Sequence, residues 1–166
     1  IDLSEPFLLS NEVDLLITME VAEHLAPSCS AQFVKSITSA SNSVLFSAAY
    51  TEQGGTNHIN EQAHSYWASL FIGNGYVPFD LFRPFFWGDK RVGFWYQQNT
   101  FLYLKKGSDV YNKIIDAGFS EIENINFMDC VHPSLYAFKC GNGLGLKALV
   151  KELIPAILRA IKRRIS

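Results

Sequence analysis

Val13-Asp14-Leu15-Leu16-Ile17-Thr18-Met19-Glu20-Val21-Ala22-Glu23-His24-Leu25 is the stretch whose reading decides the fold. Leu15 to Met19 is a short apolar run of the kind that forms a buried strand, and acidic residues and a histidine crowd its carboxyl end. In open α/β sheets, ligands bind beyond that end of the strands. A helix starting at Glu20 would set Glu20, Glu23 and His24 at i, i+3 and i+4. Those positions share one face of a turn, so three potential metal ligands would converge. On spacing alone the pattern also suits an ordinary solvated first turn, with carboxylates favoured there by the helix dipole.

Working outward, Ser28 or Ser30 is placed to cap a helix through Ser39 whose apolar face is Phe33, Val34 and Ile37. Ser43 to Ala49 follows as the next strand. Strand, helix, strand at this spacing is a βαβ crossover, which implies parallel pairing. The polar stretch Thr51-Glu52-Gln53-Gly54-Gly55-Thr56-Asn57-His58-Ile59-Asn60-Glu61-Gln62 then leaves the carboxyl end of that strand, on the same rim as Glu20 to His24. His58 is thereby a candidate fourth ligand, although a loop histidine is also commonly just solvated or hydrogen-bonded.

Asp14 through Leu25 resembles the fourth-strand motif of class I S-adenosylmethionine-dependent methyltransferases, written aspartate–hydrophobic–EV-x-EH. The E-x-x-E-H form is similar to that of the ubiquinone-pathway O-methyltransferases and the small-RNA terminal 2′-O-methyltransferases. The resemblance covers roughly residues 1 to 105. It implies an α/β fold, namely part of a Rossmann-like methyltransferase sheet (strands 3 or 4 to 7), followed by a helical C-terminal extension. It implies S-adenosylmethionine as cofactor, with Asp2, Leu3, Met19 and Glu20 on the cofactor side. It also implies a divalent ion, magnesium or manganese, held by Glu20, Glu23, His24 and His58. In a metal-free version His24 or His58 would be the catalytic base. The gap before His58 is shorter than in the small-RNA group. The expected activity is methyl transfer to the oxygen of a hydroxyl-bearing small molecule or glycan. The alternative is a non-catalytic methyltransferase-like module that binds or interacts without the cofactor half. A nucleotide-cofactor oxidoreductase sharing the Rossmann pattern explains the acidic rim poorly.

Further along, Ile1 to Pro6 reads as the tail of a strand entering a loop, or as a terminal loop with a capping Asp2. Ala63 to Gly73 reads as a helix stopped by Gly73-Asn74-Gly75. Tyr76 to Arg83 reads as an edge strand because of Pro78, and Phe94 to Lys105 as a long final strand. The resemblance makes these last two antiparallel partners. Val110 to Ala117 is a short helix, Gly118 to Cys140 is irregular, and Val131-His132-Pro133 is a turn. The domain division expected is 1–106 for the α/β part and 107–166 for the extension. That extension closes on an apolar stripe, Leu146, Leu149, Val150, Leu153, Ile157 and Ile161, interrupted by Pro155. The stripe beside lysines and arginines would lie on an anionic membrane surface or dock on the domain.

Composition is globular, with 48% hydrophobic and 18% charged residues and a net charge of −2. Residues 144–166 carry +5 and the rest −7, so the body argues against nucleic acid. Three widely spaced cysteines without a C-x-x-C argue against a disulfide framework and suit a reducing cytoplasm. No apolar stretch reaches the roughly 18 residues of a membrane span. The chain begins with Ile1, shows no signal peptide, and is expected to be a fragment of a longer protein. No strand-borne G-x-G turn is present, and Gly141-Asn142-Gly143-Leu144-Gly145 lacks the strand-to-helix context of a cofactor loop. Cofactor binding by this chain alone is therefore expected to be weak or absent.

Overall fold

The computed structural model describes residues 1–8 and 12–142, together with Leu153, Pro155 and Ile157. The apolar run forms strand β1, Leu16–Met19, and the chain returns through helix α1, Ser30–Thr38, to strand β2, Ser43–Ser47. β1 and β2 are parallel, with Leu16 opposite Val44 and Met19 opposite Ser47, as the βαβ spacing requires. Helix α2, His64–Gly73, leads to β3, Tyr76–Phe79, then to two short helices, α3, Arg83–Phe86, and α4, Phe94–Asn99, and to β4, Phe101–Lys105. β4 lies antiparallel between β2 and β3, giving a four-stranded mixed sheet in the order β1-β2-β4-β3. The class is α/β. β3, with Pro78, is an edge strand, and β1 is the other edge.

Two strand expectations shorten. Tyr76 to Arg83 is a strand only to Phe79, and Phe94 to Lys105 is a helix before it is a strand. The reason is polar: the Gln97 amide donates to the carbonyls of Asp89 (2.9 Å) and Val92 (2.7 Å), and its oxygen accepts from the Gly88 N–H (2.6 Å). Those bonds fold the 88–97 segment back on itself, where an extended chain would separate the partners. Residues 1–8 form no strand; a turn at Leu3 and Ser4 replaces the expected tail.

The core lies between the sheet and helices α1 and α2. Phe33, Val34 and Ile37, the apolar face expected of α1, are buried against Val44 and Phe46, with Trp67 and Phe71 from α2. Phe71 stacks on Tyr103 with ring centroids 3.8 Å apart and planes at 12°. Such side chains carry most of the burial energy of a domain this size, roughly 1.5–3 kcal/mol each. Trp95 and Tyr96 stay near 40% exposed, whereas Phe101 and Tyr103 are core.

Helix α5, Asp109–Asp116, begins where the Ser108 hydroxyl accepts from the Tyr111 N–H (3.2 Å). The following stretch is less irregular than its composition suggests. A 3-10 turn at Ile125–Met128 brings Met128 into the core, and Asp129 then accepts from the Ser65 N–H (3.0 Å) and hydroxyl (2.6 Å) at the start of α2. The chain divides into two compact units, Ile1–Cys130 and Val131–Ser166. The unit built on the sheet thus runs past residue 106, because Ile122, Ile125 and Met128 pack on its core. In the second unit, helix α6, Pro133–Ala137, starts at the expected turn, with His132 Nδ1 accepting from the Ser134 N–H (3.1 Å). The basic amphipathic stretch 144–166 lies outside the described residues, apart from Leu153, Pro155 and Ile157, which are helical. Among the described residues no helix is long and apolar enough to cross a membrane.

Candidate metal centre

β1 ends at Met19, and Glu20 turns the chain sharply with φ +53°, a left-handed conformation that non-glycine residues adopt at a cost of about 1 kcal/mol or more. The Glu20 N–H still bonds the Ser47 carbonyl (2.9 Å), so the corner is pinned to β2. A 3-10 turn, Ala22–His24, follows in place of the expected α-helical turn from Glu20. The i, i+3, i+4 face therefore does not form, and the acidic side chains part company.

Glu20 faces the sheet rim. Its carboxylate accepts from the Ser47 hydroxyl, from Asn99 Nδ2 (3.3 Å) and from Gln53 Nε2 (3.4 Å). Glu23 turns inward and is fully buried, and neither of its carboxylate oxygens has a hydrogen-bond partner. Burial pushes the Glu23 carboxyl above the usual carboxylate range, and the nearby Glu20 charge adds to that, while His58 and His24 pull it down. A buried carboxylate without partners is costly unless a cation completes it.

The rest of the centre comes from the loop after β2. The Glu23 carbonyl accepts from the N–H groups of both Ile59 and Asn60 (3.0 Å each), and Asn60 Nδ2 donates to the Ser30 hydroxyl (2.9 Å). These bonds clamp the loop onto the corner. They bring His58 beside His24, and the ligand atoms of Glu23, His24 and His58 all lie within 4.8 Å of one another. His58 Nε2 stands 4.0 Å from Glu23 Oε1, too far for a hydrogen bond. His24 Nδ1 donates to the Asn57 carbonyl (3.2 Å), and His58 Nδ1 donates to Glu61 Oε1 (2.8 Å). Each imidazole thus spends its Nδ1 proton on the protein and keeps an Nε2 lone pair for a ligand, the usual arrangement around a bound metal. One carboxylate and two imidazoles suit a divalent ion and leave further positions for water or substrate oxygen.

Of the four expected ligands the structure brings together Glu23, His24 and His58, and it engages Glu20 elsewhere. Three contributors escaped the sequence reading: Glu61, the Asn57 carbonyl and Gly55. The signal available for Glu61 was a carboxylate three residues beyond a candidate histidine ligand.

The residues expected on the cofactor side are Asp2, Leu3, Met19 and Glu20. The Asp2 carboxylate folds back on the Ser4 N–H (2.9 Å) and hydroxyl (2.6 Å), and these bonds hold its pKa below the usual value. Leu3 packs at the margin of the core, and Met19 is half-buried at the strand end. A cavity of about 410 Å³ lies at the opposite, amino end of the strands, lined by Glu12, Asp14, Asn42 and Asp109. Another, of about 340 Å³, lies between Asp80, Arg83, Trp87 and Phe127. Neither includes Asp2, Leu3, Met19 or Glu20. Asp2 is thus turned onto Ser4, and Glu20 is engaged by Ser47, Gln53 and Asn99.

Compared with known protein families, characterised proteins and solved structures, the chain matches none.

Proposed function

We propose that this chain is the acceptor-side half of a methyltransferase that uses S-adenosylmethionine and methylates a hydroxyl of a small molecule or glycan with the help of a divalent ion. The observation that carries the reading is the partnerless, fully buried carboxylate of Glu23, facing two imidazoles whose Nε2 lone pairs are free. When bound, a divalent ion would polarise the acceptor hydroxyl and make it easier to deprotonate.

The chain's own residues supply position. Glu23, His24 and His58 would hold the ion at the carboxyl end of β1 and β2, where the acceptor oxygen reaches it from solvent across the exposed His24. Glu20, held by Ser47, Gln53 and Asn99, keeps a fixed negative charge beside the centre. Among the described residues β1 pairs on one side only, and Ile17 on it and Leu15 just before it are 60% and 46% exposed. The backbone groups on the unpaired side of β1 could accept a further strand, and the cofactor would belong to such a continuation of the sheet.

The test is calorimetric titration of manganese, and then magnesium, into this chain and its His24→Ala variant. Binding by the wild type that is lost in the variant is the expected result. No binding by the wild type overturns the metal-assisted reading. S-adenosylhomocysteine titrated into the natural full-length protein tests the rest, and absence of binding there leaves the non-catalytic module as the better reading.

A further inference from the structure

We propose that Glu61 is a positioning residue that fixes the tautomer and direction of the His58 ring, so that the centre is preorganised before any ion arrives. The inference rests on the metal-centre reading and adds to it a residue outside the ligand set.

Glu61 Oε1 accepts from His58 Nδ1 at 2.8 Å and, at the same oxygen, from the Gly54 N–H at 2.7 Å. The second bond holds the carboxylate still, so the first defines one ring orientation rather than a range. A carboxylate cannot donate, so the ring proton sits on Nδ1 and the lone pair on Nε2, the atom that faces Glu23. Free histidine prefers the other tautomer, so this arrangement needs an acceptor. The carboxylate also raises the donor strength of Nε2 through the shared proton.

Space for that orientation is provided by Gly55. A Cβ built there would overlap His58 Cε1 and Nε2, so the ring occupies volume that only glycine leaves open. His58 and Glu61 are both largely buried, with side chains 12% and 17% exposed, which limits competition from water for the Nδ1 proton.

The experiment pairs two readouts on the wild type, Glu61→Ala and Glu61→Gln. Nitrogen-15 NMR of the histidine rings reports the tautomer without any metal. Calorimetry with manganese alone reports affinity. The wild type is expected to show His58 protonated on Nδ1. Glu61→Ala is expected to move the ring towards the Nε2–H form and to weaken manganese binding about 10–100-fold. Glu61→Gln keeps an acceptor, and is expected to hold the tautomer and lose less affinity.

A residue that merely braces the loop through Gly54 would lower thermal stability without moving the tautomer. An unchanged His58 tautomer in Glu61→Ala therefore overturns the proposal, as does wild-type manganese affinity in that variant. Should Glu61→Ala fail to fold, Glu61→Leu, which fills similar volume without an acceptor, carries the same two readouts. If the wild type binds no manganese while the tautomer follows Glu61, the metal reading fails and the positioning role stands.

Discussion

The imidazoles of His24 and His58 meet edge to face, with ring centroids 4.9 Å apart and planes at 81°. They reach this arrangement from different elements, the turn after β1 and the loop after β2, because the Glu23 carbonyl holds that loop through two backbone bonds. The pair leaves the oxygens of Glu23 as the unsatisfied member of the group.

Replacing that carboxylate separates stability from binding. Glu23→Gln removes a buried charge that has no partner and keeps the shape, so the metal-free protein should gain about 1–2 kcal/mol. The same change should abolish the rise in melting temperature that manganese gives the wild type. Thermal melts with and without manganese check both, and a less stable metal-free Glu23→Gln would contradict the account of Glu23.

Gly55→Ala should act on the centre rather than on the core. The new methyl group displaces the His58 ring, which breaks its bond to Glu61 and turns Nε2 away from Glu23. Overpacking of this kind costs about 1–3 kcal/mol. The expected result is a modest fall in melting temperature together with loss of manganese binding by calorimetry.

His64 makes folding sensitive to acid. It is buried, its Nδ1 faces the Met128 carbonyl (2.9 Å) and its Nε2 faces Asn99 Oδ1 (3.0 Å). Burial pushes its pKa down to about 4, against the pull of these two acceptors. The unfolded chain takes up this proton near pH 6.5, the folded chain only near pH 4. Between those values the unfolded state binds more protons, so stability falls as the pH is lowered, by roughly 3 kcal/mol at most. Urea unfolding of the wild type and His64→Gln at pH 7 and pH 4.5 should show the variant losing less on acidification. Parallel losses in the two proteins would exclude His64 as the cause.

Asn99 joins His64 to the rim. Its amide donates to Gln53 Oε1 (2.9 Å) and Glu20 Oε1 (3.3 Å), and its oxygen accepts from Gln98 Nε2 (3.0 Å). Asn99→Ala strands several buried polar groups at once and should cost about 2–4 kcal/mol in urea unfolding. Glu20 should also become mobile, seen as broadened amide signals at Glu20 and Gln53.

Much of this molecule is legible without coordinates because it follows from short-range rules. The apolar run at Leu16 to Met19, the 3.6-residue spacing of Phe33, Val34 and Ile37, and the crossover length between β1 and β2 together specify a parallel βαβ unit with its polar loop on one rim. That rim is where Glu23, His24 and His58 meet. The reading failed where side-chain hydrogen bonds to a neighbouring loop overrule strand preference. Phe94 to Asn99 has the aromatic content of a strand, yet Gln97 finds its partners in the 88–92 loop and the segment coils.

Sequence by itself thus determined the α/β class, the parallel pair and the side of the sheet on which the acidic and histidine residues gather. Tertiary structure alone decided which of them meet. Glu20 and Glu23 are three residues apart and read alike, but Glu20 takes a left-handed turn, and its side-chain partners lie at Ser47, Gln53 and Asn99, 27, 33 and 79 residues away. No local pattern encodes those partners. They satisfy Glu20, and the turn they enforce drives Glu23 into the interior unsatisfied, where the two histidines face it.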